Sequence, residues 1–483
     1  MSLGDGGAAG WDADEGTDGL LTDGVPDPYD GRGLDVLIRA RRAVVQGVQG
    51  RPVQDAVVVG LRDGRVVLVE GYDAADLPPA LQVVDLAADE VLLPGLVDSH
   101  VHVNEPGRTH WEGFATATRA AAAGGTTTVV DMPLNSIPPT TTVDGLRTKQ
   151  DAARGNAYVD VAFWGGAVPD NLDDLAGLVE AGVLGLKAFL VPSGVPEFGH
   201  LDDTLLPVVL DRVAALGTLL VVHAEDPDVL DRAPAATGRR YADFLASRPD
   251  EAEVRAVERL LLLARDAGAR VHVLHLSSAQ ALPLLAQARA AGGAVTVETC
   301  PHYLVLDAAG VPDGGTSFKC CPPIRDAANA DALWDALADG VIDCVVSDHS
   351  PSPVDLKHLG TGDFGEAWVG ISSLQLRLPL VWSGARARGH ELADVGAWTA
   401  AGPADVAGLP RKGRIAVGAD ADLVVLAPDE VFVVDPAALH HRHRLTPYTG
   451  ARLSGVVRST WLAGRPVDLA AEPRGRLLAR GDA

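Results

Sequence analysis

The 483-residue chain carries 65 acidic and 40 basic residues, a formal charge of -25, and is 47% hydrophobic. That charge repels nucleic acid and anionic membrane surfaces, no apolar run approaches the roughly 20 residues of a transmembrane helix, and the start lacks the basic-then-apolar pattern of a secretory leader. A cytoplasmic protein acting on a small, weakly charged molecule is therefore expected, with no nucleic-acid or membrane partner. The length accommodates a barrel of roughly 250 residues plus a second unit.

In chain order, residues 1–33 are rich in Gly and Asp without periodicity and read as a disordered acidic tail. From 34 to 93, short β-rich runs alternate with turn signals, including Asp63 and Gly64 between two valine-rich segments. The same texture returns over 411–470, which predicts one small composite β-sandwich domain built from both chain ends; 471–483 reads as a C-terminal tail. Between them, 94–410 alternates eight apolar β runs with Ala/Leu-rich helical patterns: 96–103, 127–132, 159–164, 184–191, 219–223, 271–276, 294–298 and 342–348. This is the pattern of an α/β (β/α)₈ TIM barrel. The four cysteines, Cys300, Cys320, Cys321 and Cys344, lack CxxC spacing and read as buried free thiols.

Polar residues punctuate the ends of these runs. His100 and His102 sit two apart, so on a strand both imidazoles point to one face, where barrel enzymes carry their chemistry. Alone, such a pair is as often an accident of a strand surface as half a zinc site. Lys187 interrupts an apolar strand; it is either a member of a buried ion pair or an amine converted by CO₂ into a bridging carbamate. His223 and His275 end two more strands, with His272 as a structural neighbour, and Asp348 ends the eighth. A lone histidine at such a place is usually a satisfied core residue, but the set shares one rim. It suits two Zn²⁺ ions: His100, His102, carbamylated Lys187 and Asp348 around one, carbamylated Lys187, His223 and His275 around the other, with a hydroxide between them. Asp348 is the expected general base and then general acid.

From about Leu34 to Arg474 the chain resembles the amidohydrolase superfamily and, within it, the cyclic amidases of the allantoinase group. The resemblance rests on residues 94–108, 111–113, 131–135, 298–303, 322–326, 347–351 and 366–368. It implies the same six metal residues, hydrolysis of the hydantoin-ring amide of allantoin to allantoate, a role in purine catabolism and a homotetramer. Dihydroorotases carry an arginine two residues after the paired histidines, where this chain has Asn104; the absence favours a substrate without a carboxylate. Hydantoinases carry a tyrosine five residues after the lysine, where this chain has Pro192. Relatives commonly have Ser where Cys321 stands. Asn135, His302, Cys321 and Ser350 are candidate substrate contacts, whereas Glu105, Arg108 and Arg325 read as scaffolding of the mouth. A hydantoinase, dihydropyrimidinase-like or dihydroorotase-like cyclic amidase is the alternative.

Overall fold

The structure is a computed structural model that describes residues 33–47 and 50–482. The acidic tail expected over 1–33 lies, but for Gly33, outside the described residues. Five strands open the chain: β1 (Leu34–Gln46), β2 (Pro52–Arg62), β3 (Arg65–Gly71), β4 (Ala80–Asp85) and β5 (Val91–Pro94). β2 and β3 form a hairpin around Asp63 and Gly64, whose φ angles of 51° and 75° are those of a primed turn matched to strand twist.

Nine parallel strands follow: β6 (Leu96–Val101), β7 (Thr126–Asp131), β8 (Asp160–Phe163), β9 (Gly165–Gly166), β10 (Leu186–Phe189), β11 (Leu219–His223), β12 (Arg270–Val273), β13 (Val295–Thr299) and β14 (Cys344–Val345). Hydrogen bonding orders them as β6-β7-β8 and β9-β10-β11-β12-β13-β14. Only Trp164 separates β8 from β9. The residues after β14 lie beside β6, where the His102 amide donates to the His349 carbonyl at 2.8 Å. Nearly every strand residue here is buried, as both-sided burial of parallel strands demands. Helices cover the outside. The longest, Asp250–Ala267, starts with Asp250, Glu251 and Glu253 at its positive end and stops at Gly268 in the left-handed conformation (φ 66°). The strand expected over 342–348 contracts to two residues: the Val346 amide still donates to the Thr299 carbonyl of β13 at 3.0 Å, but the Ser347 amide then turns to the Asp98 carboxylate at 3.1 Å.

The C-terminal strands β15 (Leu423–Val433), β16 (Arg452–Leu462) and β17 (Arg465–Pro466) return to the first five. Both ends of the chain meet, but not as a sandwich of two sheets: hydrogen bonding runs through a single eight-stranded sheet, β17-β16-β15-β5-β1-β2-β3, with β4 on β1. Register shifts between Ala40 and Ala43, Gly60 and Leu61, and Val425 and Leu426 bend the strands. The sheet encloses its own core of Val36, Ile38, Val59, Leu92, Leu423 and Trp461.

Residues 475–480, expected within a tail, instead run along β8. The Val161 amide donates to the Arg476 carbonyl at 2.9 Å and the Leu478 amide to the Val161 carbonyl at 2.8 Å. Beside them lies a buried charge cluster. Lys412 Nζ is 2.7 Å from Asp160, 2.8 Å from Asp420 and 2.7 Å from Asp422, and Arg476 adds a contact to Asp160 at 2.8 Å. It joins β8, the approach to β15 and the C-terminal segment.

Candidate metal centre

The carboxyl ends of the parallel strands converge on a cavity of about 170 Å³. His100, His102, Lys187, His223, His275 and Asp348 line it, as do Asn135, Cys321 and Ser350. Larger recesses of about 610 and 450 Å³ lie between outer elements, and no histidine lines either. His302 is not among the cavity's lining residues. It lies behind the wall, fully buried, its ring nitrogen grouped with Cys300 and Asp348 within 4.8 Å, and both its nitrogens lack hydrogen-bond partners. Asn104 also faces away from the cavity, its amide donating to the Pro351 carbonyl at 3.2 Å.

Two carboxylates that sequence reasoning left without roles set the orientation of the imidazoles. Glu298, on β13, lies 2.5 Å from His100 Nδ1, 3.1 Å from His272 Nε2 and 3.2 Å from the His275 amide. An Nδ1–H directed at Glu298 leaves His100 Nε2 with its lone pair free, 3.3 Å from Asp348 Oδ1; His102 Nε2 is 3.6 Å from the same oxygen. Glu225 likewise takes His223 Nε2 at 2.7 Å, turning His223 Nδ1 toward His275 Nε2 at 3.0 Å. Burial alone would raise both carboxyl groups. For Glu298 the histidines, and for Glu225 chiefly Arg248, override it and hold each at about 2, so both stay ionised.

Lys187 on β10 is 1% exposed and, among the described residues, its ammonium meets no hydrogen-bond or ion-pair acceptor. Its nitrogen sits 4.4 Å from the centroid of Phe189, which itself stacks on His223. Burial pulls this lysine well below its usual range, and pushes the Asp348 carboxyl up. His275 and Asp348 adopt φ of 36° and 41°, left-handed values that cost non-glycine residues of order 1–3 kcal/mol and that cluster at functional sites. Four imidazole nitrogens, one carboxylate and one uncompensated amine thus face one space. Such a donor set fits two zinc ions provided that the amine becomes an anion.

A profile of the amidohydrolase family matches residues 91–467.

The chain belongs to the amidohydrolase family.

Among relatives of this amidohydrolase is an allantoinase from Streptomyces avermitilis, 58% identical over 92% of the chain and 99% of that protein. The allantoinase of Saccharomyces cerevisiae is 48% identical over 78% of the chain and 82% of its own length. Among solved structures, the L-hydantoinase (dihydropyrimidinase) of Arthrobacter aurescens superposes with a TM-score of 0.84 at 32% identity, covering 92% of this chain and 98% of that one. The amidohydrolase is accordingly an enzyme, a hydrolase of the cyclic-amide class. No helix among its described residues is long and apolar enough to cross a membrane.

Around the cavity the structure gives several residues of the resembling stretches a place, and adds Arg248, which no motif singled out. Trp368 forms a wall and meets Trp111 edge-on, with ring centroids 5.2 Å apart; Arg108 lies over Trp111 and pairs with Glu197 at the mouth. Glu105 caps the helix beginning at Phe114 by accepting its amide at 2.8 Å, and Arg325 pairs with Glu253 at 2.7 Å and Asp250 at 3.1 Å. Arg248, from the turn before the helix Asp250–Ala267, reaches the cavity from outside the strand set.

Proposed function

We propose that this amidohydrolase opens the hydantoin ring of allantoin to give allantoate, within a (β/α)₈ barrel formed by the parallel strands. The observation that carries the metal assignment is Lys187: an amine buried among four imidazoles and Asp348 that, among the described residues, is hydrogen-bonded or ion-paired to none of them. The pairing that would make it a structural ion pair is absent among the described residues. A lysine held low by burial is neutral enough to take up CO₂, and the carbamate supplies a bidentate anion to the set. His100, His102 and Asp348 would then hold one Zn²⁺ and His223 and His275 the other, with carbamylated Lys187 shared. Bound there, the two ions polarise the ring carbonyl and make water acidic enough to attack near neutral pH.

The chain's own residues do the rest. Asp348 accepts the proton of the attacking water and returns it to the departing ring nitrogen, so that one water is consumed, the ring C–N bond breaks, and a carboxylate and a urea nitrogen result. Asn135 and Ser350 line the cavity and are the residues to partner the ring amide groups, with Val191, Pro192 and Trp368 as its apolar lining. Cys321 stands at the wall with its thiol held protonated by burial. The identity of 58% to an allantoinase against 32% to a hydantoinase favours allantoin over a simple hydantoin.

The test is to purify the protein with zinc and bicarbonate and compare kcat/KM on allantoin, dihydroorotate and a 5-substituted hydantoin. A preference of at least 100-fold for allantoin is expected; equal or better turnover of the hydantoin overturns the substrate assignment. Lys187→Ala and Asp348→Asn are each expected to lower kcat by at least 1,000-fold, with Lys187→Ala also releasing metal, as elemental analysis would register. The same reading makes the enzyme a cytoplasmic homotetramer, which sedimentation would check.

A further inference from the structure

Among the described residues, Arg248 is the one arginine lining the cavity. Its Nη1 donates to Glu225 Oε2, the oxygen that also accepts from His223 Nε2 at 2.7 Å. Among the described residues Glu225 is the only acceptor its guanidinium meets, although a guanidinium has five N–H donors in a planar fork. The side chain is a quarter exposed, and what it is exposed to is the cavity it shares with Asn135, Ser193 and Cys321. Its backbone is fixed on both sides: the Arg248 amide donates to the Leu245 carbonyl at 3.1 Å, and Pro249 begins the next helix. The group is thus a preorganised donor, one carboxylate removed from a metal-facing imidazole.

The chemistry of its ligand follows from charge. Glu225 lies directly against the Arg248 guanidinium as its ion-pair partner, so the pair as a whole offers hydrogen bonds without offering a net positive charge. This suits a neutral, planar carbonyl better than a carboxylate. In a 5-ureidohydantoin, the carbon under attack is bonded to the ring carbon that carries the ureido arm, so the arm begins one bond from the reacting centre. Resting on the function argued above, we infer that Arg248 is the specificity-determining residue of this site: its unspent N–H groups receive the carbonyl of the substrate's ureido arm. A substrate with an alkyl arm would bury those donors unpaired, a penalty by which enzymes reject analogues lacking a hydrogen-bonding group.

The experiment compares wild type, Arg248→Met and Arg248→Lys on three substrates: allantoin, unsubstituted hydantoin and 5-methylhydantoin. Zinc content is measured for each protein, because Glu225 also orients His223. For Arg248→Met we expect kcat/KM per bound zinc to fall at least 100-fold on allantoin, less than 10-fold on hydantoin, and to rise on 5-methylhydantoin. Arg248→Lys keeps the charge opposite Glu225 but loses the fork, so it should retain zinc and still lose at least 10-fold on allantoin relative to hydantoin. Equal losses on allantoin and hydantoin in the lysine variant would overturn the inference and leave Arg248 as a support for Glu225 alone. Should wild type fail to turn over allantoin while hydrolysing the hydantoins, the parent assignment falls and this inference with it.

Discussion

Glu298 illustrates what one side chain does for a whole site. It contacts two imidazoles and the amide of a third histidine, and its carboxylate fixes which nitrogen of His100 is bare. Glu298→Gln is expected to weaken zinc binding by about 10- to 100-fold without unfolding the protein, read by competition with a chelator. Lys357 makes a different prediction. Burial pulls it from 10.5 to about 7, and among the described residues its ammonium meets only the backbone carbonyls of Trp368 and Gly370. Because the unfolded chain then binds more protons than the folded one between pH 7 and 10.5, Lys357 adds stability as pH rises through that window. The stability difference between wild type and Lys357→Met should grow over that range, by at most a few kcal/mol, in urea titrations at several pH values. The six proposed metal ligands were legible because each is a polar residue within, or just past the carboxyl end of, a largely apolar β run. Glu225 and Glu298 were not, since a carboxylate near a histidine in sequence has many ordinary explanations. Arg248 carried no local signal at all; only the fold brings it to the cavity.

At the scale of elements, the alternation of apolar runs with helical patterns was enough to locate eight of the nine parallel strands within a few residues, missing only the two-glycine strand β9. It failed where side chains replace the ladder, as at Asp98 and Ser347, and where a segment of modest hydrophobicity pairs with an edge. The C-terminal segment is such a case. Gly475 passes so close to β8 that a Cβ there would lie 1.9 Å from the Val159 carbonyl oxygen. Gly475→Val should therefore dislodge residues 475–480 and lower stability by about 2 kcal/mol or more, seen as a lower Tm and faster amide exchange in β8. A thermal midpoint unchanged from wild type would show that this segment adds nothing to the strand it follows.

For the whole molecule, the cluster around Lys412 ties the terminal sheet to the parallel strands. Three carboxylates share one ammonium in a buried place, and its affinity for a proton is raised by them against the effect of burial. Lys412→Met leaves them without their central cation; a loss of about 3–5 kcal/mol is expected, with the calorimetric transition broadening or splitting as the two parts uncouple. Chain length and the β-rich texture of both ends said that two units should exist. They could not say that one lysine would join them, because its three partners come from two distant parts of the chain.

The order of the terminal sheet also sets a timetable. β5 has β1 on one side and β15 on the other, and β15 is made roughly 330 residues after β5. At ribosomal speeds of about 5–20 residues per second, that apolar edge stays open for some tens of seconds while the intervening strands emerge. During this interval every nascent chain displays the same sticky strand to its neighbours on the polysome. Yield in cells should therefore depend on holdase capacity during synthesis far more than the stability of the finished enzyme suggests.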